Sequence, residues 1–324
     1  MSKGLVLEGG AMRGLFTAGV MDVLMENGIE FDATIGVSAG ACFGCNYKSR
    51  QIGRVVRYAT KYCNYWKFCS FRSWLVTGDV FGGQFCYYDI PKELDKFDYE
   101  TYRSNSMDFI VIAVDINTGE AVYHKMETCD DEDIKWMRAS ASQPVLSRPV
   151  KIGDSAYLDG GMRDSIPLKY MRDHGYDRNI VILTQPEGFV KQQMKVMPLV
   201  KLLTLGHPKI AEALESRPAM YNEQTAYVAE CEKAGNTLVI RPDAPLGLKT
   251  VVHDPDELRR VYELGREAAE KRMDAIRAFM AGEEAVFARR SPFSGRPVPA
   301  NPRKSPQNPR IAVYVAVYFV RRSP

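Results

Sequence analysis

Ser38 stands between two glycines, in Gly36-Val37-Ser38-Ala39-Gly40, just after the apolar run that begins at Ala33. This G-x-S-x-G arrangement often carries a nucleophilic serine on a sharp strand-to-helix turn. Ester cleavage by such a serine needs an exposed oxygen, a base to take its proton, and donors aimed at the oxyanion that forms on the substrate. Gly36 and Gly40 allow the reversal that would hold the hydroxyl out. Upstream, Gly9-Gly10-Ala11-Met12-Arg13-Gly14 follows another short apolar run. Its minimal side chains let backbone N–H groups approach a substrate oxygen at the start of a helix, where the dipole favours negative charge. A third feature, Asp159-Gly160-Gly161, reads as a tight turn after Tyr157-Leu158. The usual base for a serine is histidine, and the four here, His124, His174, His207 and His253, lie in no motif.

Each signal has a plainer reading. A serine in a tight turn is most often a helix cap, and G-x-S-x-G occurs by chance. The glycine loop lacks the G-x-G-x-x-G spacing of a dinucleotide site because position 11 is alanine, and no Gly-Lys-Ser/Thr follows to make a P-loop.

The elements that must position these residues follow from pattern. Gly4 to Leu7 reads as a buried strand, and after the glycine loop Leu15, Ala18, Gly19, Val20, Val23 and Leu24 recur at helical spacing up to Asn27-Gly28. The unit repeats as a strand from Ala33 to Val37, the serine turn, and a helix from Ala39 to about Tyr47. Two strand-turn-helix units predict a parallel α/β core. Helix is expected from Arg50 to Tyr62, a strand over Phe109–Asp115, a hairpin turn at Asn117-Thr118-Gly119, and a capped helix from Asp130 to Ser142. A helix opens at Ile166-Pro167, strands follow near Asn179–Thr184 and Leu238–Arg241, and Pro198–Ala234 and Asp254–Met280 read as mostly helical. Tyr62 to Tyr88 is dense in aromatic residues but broken by Gly78, Gly82 and Gly83. Lys61, Lys67 and Arg72 interleave with its rings, which suits core packing, an acyl-chain pocket or a face resting on lipid.

The glycine loop after the first strand, G-x-S-x-G after the second, and Asp-Gly-Gly at 159–161, in this order, resemble the patatin-like phospholipase family. Phe109 to Glu120 resembles that family's central strand and turn, and Ala139-Ser140 through Pro144 to Tyr157 resembles the approach to its aspartate. The resemblance spans roughly residues 4–185 and is strongest to longer bacterial members with a helical C-terminal part. It implies a three-layer α/β/α fold with a mainly parallel central sheet. It also implies a Ser-Asp dyad, with Ser38 as nucleophile and Asp159 as the direct proton acceptor, acting on fatty-acyl esters of phospholipids or related lipids in lipid degradation. Gly9, Gly10, Ala11, Arg13 and Gly14 would then form the oxyanion loop, with Arg13 an orienting residue, and Gly160 and Gly161 would let the backbone of the acid turn come close. The family usually has a third glycine where Ala11 stands; a negative φ there makes alanine harmless, a positive one costs about 1 kcal/mol. Two other readings remain. One is a Ser-Asp-His α/β-hydrolase esterase using His174, His207 or His253; the other is a catalytically silent lipid-binding or regulatory protein of the same fold.

Composition bounds the rest. The 324 residues are 45% hydrophobic and 26% charged, ordinary for a globular chain, and the net charge of +3 is too mild for a nucleic-acid binder. No cofactor and no metal are expected. Cys42-x-x-Cys45 with Cys63 and Cys69 only loosely imitates a thiolate metal site, and the seven cysteines suit free thiols. The amino-terminal stretch lacks the long apolar region of a signal peptide, and no run approaches the roughly 18 apolar residues of a membrane span, so a cytoplasmic protein with at most peripheral membrane contact is expected. The expected organisation is a catalytic core over 1–185, a mainly helical part over 186–288 packed on or completing it, and a Pro/Arg-rich disordered tail over 289–324 with a short apolar end.

Overall fold

The computed structural model describes residues 1–193, 197–204 and 206–282. The expected tail over 289–324, with its apolar end, lies outside the described residues. The chain runs through β1 (Lys3–Leu7), a 3-10 turn, α1 (Gly14–Glu26), β2 (Ala33–Gly36), α2 (Ala39–Lys48), α3 (Arg54–Tyr62) and α4 (Phe71–Thr77). A wide i→i+5 helical segment (Phe85–Leu94), α5 (Tyr99–Ser104), β3 (Asp108–Asp115), β4 (Ala121–Lys125), α6 (Asp131–Ser140), β5 (Val150–Ile152) and β6 (Ser155–Asp159) follow. The last elements are α7 (Leu168–Asp173), β7 (Arg178–Ile182), α8 (Met197–Leu203), α9 (Pro208–Lys233), β8 (Thr237–Ile240), α10 (Pro255–Glu270) and α11 (Met273–Ala281).

The strands form one sheet in the order β5-β6-β3-β2-β1-β7-β8, with β4 also paired to β3. The five strands β3, β2, β1, β7 and β8 are parallel, while β4, β5 and β6 join antiparallel. Side chains alternate faces along a strand. Leu5 and Leu7 of β1 therefore join a core under α1 and α10, while Val6 joins a second core with Tyr221 and Val228 of α9. Both faces are covered, giving the three-layer α/β/α arrangement with a mainly parallel sheet.

Two segments differ from the sequence expectation. Val150–Ile152 makes a three-residue strand too short to show a period. The aromatic stretch yields α4, capped by the Ser70 hydroxyl, and the wide helix around Pro91, whose Asp95 N–H donates to the Ile90 carbonyl at 2.8 Å. Proline cannot supply an ordinary helical N–H, and i→i+5 bonding absorbs the gap.

Pairing on β3 brings distant parts of the chain together. β4 pairs with β3 from Ile110 to Val114, so one edge of β3 is filled. On the other edge β2 pairs with Asp108–Val111 and β6 with Ala113–Asp115. β2 and β6 thus meet end to end along that edge: Gly36 sits opposite Val111, and Asp159 opposite Ala113. Two residues of strand are about 7 Å. The turn leaving β2 therefore opens beside the end of β6.

Candidate active site

Ser38 occupies that turn. Its φ of 56° and ψ of −120° put a non-glycine residue in a sparsely populated region, at a cost on the order of 1–3 kcal/mol. The close approach around it needs glycine: a Cβ at Gly36 would lie 2.4 Å from the Gly40 carbonyl oxygen, and one at Gly40 2.4 Å from that of Leu7. The backbone N–H of Ser38 donates to the Ser140 hydroxyl at 3.0 Å, and the N–H of Asp159 donates to the Ser142 carbonyl at 2.8 Å. The end of α6 and the turn after it therefore hold both residues.

The glycine loop lies against the serine. A Cβ at Gly9 would fall 2.9 Å from the Ser38 Cβ, and one at Gly14 would fall 2.9 Å from the Ala39 Cβ. As the residues entering a helical turn, Gly10 and Ala11 have amides without intrahelical partners. Ala11 has a φ of 49°, the left-handed conformation in which alanine costs about 1 kcal/mol relative to glycine. Arg13 ends the 3-10 turn, and its Nε is buried without a hydrogen-bond partner.

Asp159 is 2% exposed. Its Oδ1 accepts the Gly161 N–H at 2.8 Å, whereas Oδ2 is buried with no hydrogen-bond partner. Burial raises the Asp159 pKa; Arg217, the Gly161 N–H, the Ser38 side chain and Lys191 oppose the rise, in that order. The hydroxyl of Ser38 is thus near enough to favour the carboxylate although no hydrogen bond of good geometry joins the two, a common looseness in a site without substrate. Gly160 packs so closely on β3 that a Cβ would lie 2.3 Å from the Ile112 carbonyl oxygen.

All three motifs therefore converge, and residues with no motif of their own join them. Glu8, just before the glycine loop, is buried; burial raises its pKa, and it accepts from the Thr184 N–H and from the Tyr221 hydroxyl at 2.9 Å. Ser140 belongs to the stretch that resembles the approach to the aspartate, whereas Arg217, Lys191 and Glu8 carry no local signature, because their place in the site depends on packing between distant elements.

The histidines lie elsewhere. His124 pairs with Asp133 at 2.8 Å and stacks on Trp136, His174 bonds the Tyr170 carbonyl, His253 bonds the Cys63 carbonyl, and His207 precedes α9. Among the described residues none hydrogen-bonds Ser38 or Asp159.

An apolar cavity of about 140 Å³ opens against Ser38. Phe68, Phe81 and Tyr87 of the aromatic stretch line it with Tyr58 of α3, so part of that stretch forms a pocket, while Phe71, Leu75 and Val76 of α4 are exposed. Cys42, Cys45, Cys86 and Cys129 line it too; burial pushes the Cys42 thiol up to about 12 and the Cys45 thiol up to about 11, keeping both neutral and soft. Among the described residues no group of three or more His, Cys, Asp or Glu side chains is placed to hold a metal ion, and no helix is long and apolar enough to cross a membrane.

Residues 5–172 match a family model described as patatin-like phospholipase, and residues 207–281 match one described as a domain of unknown function, DUF6363. The chain is 29% identical over 181 residues to lysophospholipase NTE1 of Debaryomyces hansenii, a match covering 54% of this chain and 11% of that protein. It is 27% identical over 295 residues to the uncharacterized protein YjjU of Escherichia coli, covering 81% of this chain and 74% of that protein. The chain thus spans only about a tenth of the length of the lysophospholipase relatives. The crystal structure of VipD from Legionella pneumophila aligns over 85% of this chain and 67% of its own, with a TM-score of 0.44 and 14% identity.

Proposed function

Because the chain belongs to the patatin-like phospholipase family, we propose that it is a serine acyl hydrolase that cleaves fatty-acyl esters of phospholipids or related lipids through a Ser38–Asp159 dyad. The observation that carries this reading is the junction of three features at one point: a strained serine, a buried carboxylate with one unpartnered oxygen, and a glycine loop against the serine.

Ser38 Oγ attacks the ester carbonyl while its proton passes to Asp159 Oδ2. Oδ1 stays held by the Gly161 N–H, which fixes the orientation of the accepting oxygen. A free aspartate is a weak base, and burial improves this one by raising its pKa. Amides of the Gly9–Ala11 loop hold the oxyanion, where losing one donor typically costs on the order of 10² to 10³ in rate. Asp159 returns the proton to the leaving alcohol, then takes one from the water that attacks the acyl-serine and gives it back to Ser38 Oγ as the fatty acid leaves, which restores the dyad. The acyl chain occupies the apolar cavity.

Ser38→Ala and Asp159→Asn are each expected to lower p-nitrophenyl ester hydrolysis by on the order of 10³-fold or more, with the thermal transition retained. A fluorophosphonate should label Ser38 in the unaltered protein. Full activity in either variant would falsify the dyad. An unlabelled Ser38 would indicate a protein that binds lipid without turning it over.

A further inference from the structure

Two cations near the dyad lie outside residues 5–172, and the chemistry proposed above gives them no part. Arg217 belongs to α9 and Lys191 to the segment after β7. On α9, Arg217, Tyr221 and Gln224 stand at i, i+4 and i+7, the spacing of one helical face. Tyr221 donates to Glu8 at the root of the glycine loop. Gln224 accepts from the Ser165 and Ile166 N–H groups and donates to Asp164 at 2.7 Å, clamping the chain just beyond the acid turn. Arg217 is therefore aimed at the same place, and its Nη2 lies 3.3 Å from where a Cβ on Gly161 would stand.

Lys191 is brought to this face by Asn222. The Lys191 N–H donates to Asn222 Oδ1 at 2.9 Å, and the Asn222 amide donates back to the Lys191 carbonyl at 3.2 Å. The ammonium then sits 4.5 Å over the Tyr221 ring. Arg217, Arg13, Glu8 and Asp159 all act on it electrostatically, which puts the five charges in one neighbourhood.

Three cations thus face two buried carboxylates, and the cations are not neutralised pairwise. Among the described residues, Arg217 and Lys191 make no ion pair within 4.0 Å, and the Arg217 Nε is buried without a hydrogen-bond partner. The neighbouring acids of α9 are engaged elsewhere, Glu212 with Arg163 and Lys209 and Glu215 with Lys201. Burial, then repulsion from Arg217, pushes the Lys191 pKa down to about 8, against the pull of Glu8 and Asp159. The apolar cavity touches Ser38 but is lined by neither Arg217 nor Lys191. The cationic group therefore lies outside the apolar space, beside the acid of the dyad, where Arg217 and Lys191 act on Asp159.

We propose that Arg217 and Lys191 form an anion subsite on the alcohol side of the scissile ester, where they take the phosphate of a lipid head group. A guanidinium donating in pairs with an ammonium beside it suits a phosphate oxyanion. The assignment rests on the hydrolase reading above, and it makes the C-terminal helical part a contributor to substrate choice.

The test uses two arms on the full chain. In the first, Ser38→Ala protein is titrated by calorimetry with sn-glycerol 3-phosphate, inorganic phosphate and glycerol. Binding of glycerol phosphate in preference to both others, lost in an added Arg217→Gln/Lys191→Gln pair, is the expected result. Equal binding of inorganic phosphate would overturn the head-group source in favour of free phosphate, and no phosphate binding would overturn the subsite. In the second arm, the same pair in the active protein is expected to lower kcat/KM for a lysophospholipid at least tenfold more than for a monoacylglycerol with the same acyl chain. Arg217→Lys, which keeps the charge, should restore part of that preference. Equal losses on both substrates would reduce the two residues to a structural role. Fluorophosphonate labelling of Ser38 judges the hydrolase reading separately, since the first arm needs no turnover.

Discussion

At the scale of single residues, the candidate chemistry depends on how the Asp159 carboxyl is held. Burial raises its pKa above the usual carboxylate value, and Arg217 is the foremost group pulling it back. Protonated Asp159 cannot accept a proton from Ser38, so kcat/KM for a neutral p-nitrophenyl ester should rise with pH through an acid limb lying above the ordinary range near 3.9. Arg217→Gln removes the main opposing charge and should move that limb to higher pH. A limb in the ordinary carboxylate range, or one that moves down in the variant, would count against Asp159 as the base. Ala11 is the other residue-scale finding. Its positive φ is the costly alternative of the two open from sequence, so the loop carries about 1 kcal/mol of strain that glycine would not. Glycine spacing is legible in sequence; the sign of φ at one alanine is set by the loop's path between β1 and α1.

At the scale of elements, α1 and α10 show how little space the glycine positions leave. A Cβ on Gly19 would lie 2.1 Å from the Tyr262 carbonyl oxygen, and one on Gly265 would lie 2.0 Å from that of Phe16. The helices also share the Tyr262 hydroxyl bond to Asp22 at 2.8 Å and the Arg266–Glu26 ion pair at 2.8 Å. Gly265→Val forces these backbones apart and should cost about 3 kcal/mol, lowering Tm by roughly 6–12 °C, whereas Glu263→Ala on the exposed side of the same helix should stay within about 0.5 kcal/mol. Thermal melts followed by circular dichroism read both; a Gly265→Val chain as stable as the parent would mean that the two helices do not pack in this way. Element identity was largely legible, because short continuous apolar runs mark β1, β2 and β3, strands buried on both faces, and helical spacing marks α1. The aromatic stretch was not, because Pro91 and the i→i+5 bonding obey no ordinary period.

At the scale of the molecule, the part beyond residue 185 is bound into the rest. β8 extends the sheet on β7, α10 covers α1, and α9 reaches both Glu8 and Asp164. We propose that the expected core over 1–185 and the helical part after it form one cooperative unit. A chain ending at residue 185 should show no cooperative melt and should bind a hydrophobic dye, since it would expose the β7 edge and the apolar face of α1 and leave Glu8 without Tyr221. Cooperative unfolding with retained ester hydrolysis in that fragment would show the two parts to be separable.

By itself the sequence determined the α/β class, the order of most elements and the three motifs, because local spacing sets turn geometry, helix faces and strand burial within a few residues. Tertiary structure decided how those motifs meet. Ser38 and Asp159 face one another because β2 and β6 share one edge of β3, a pairing between segments far apart in the chain. Arg217 and Lys191 join them because one face of α9 is held by Glu8 and Asp164. Long-range pairing and charge convergence leave no local period, so no window of sequence contains them.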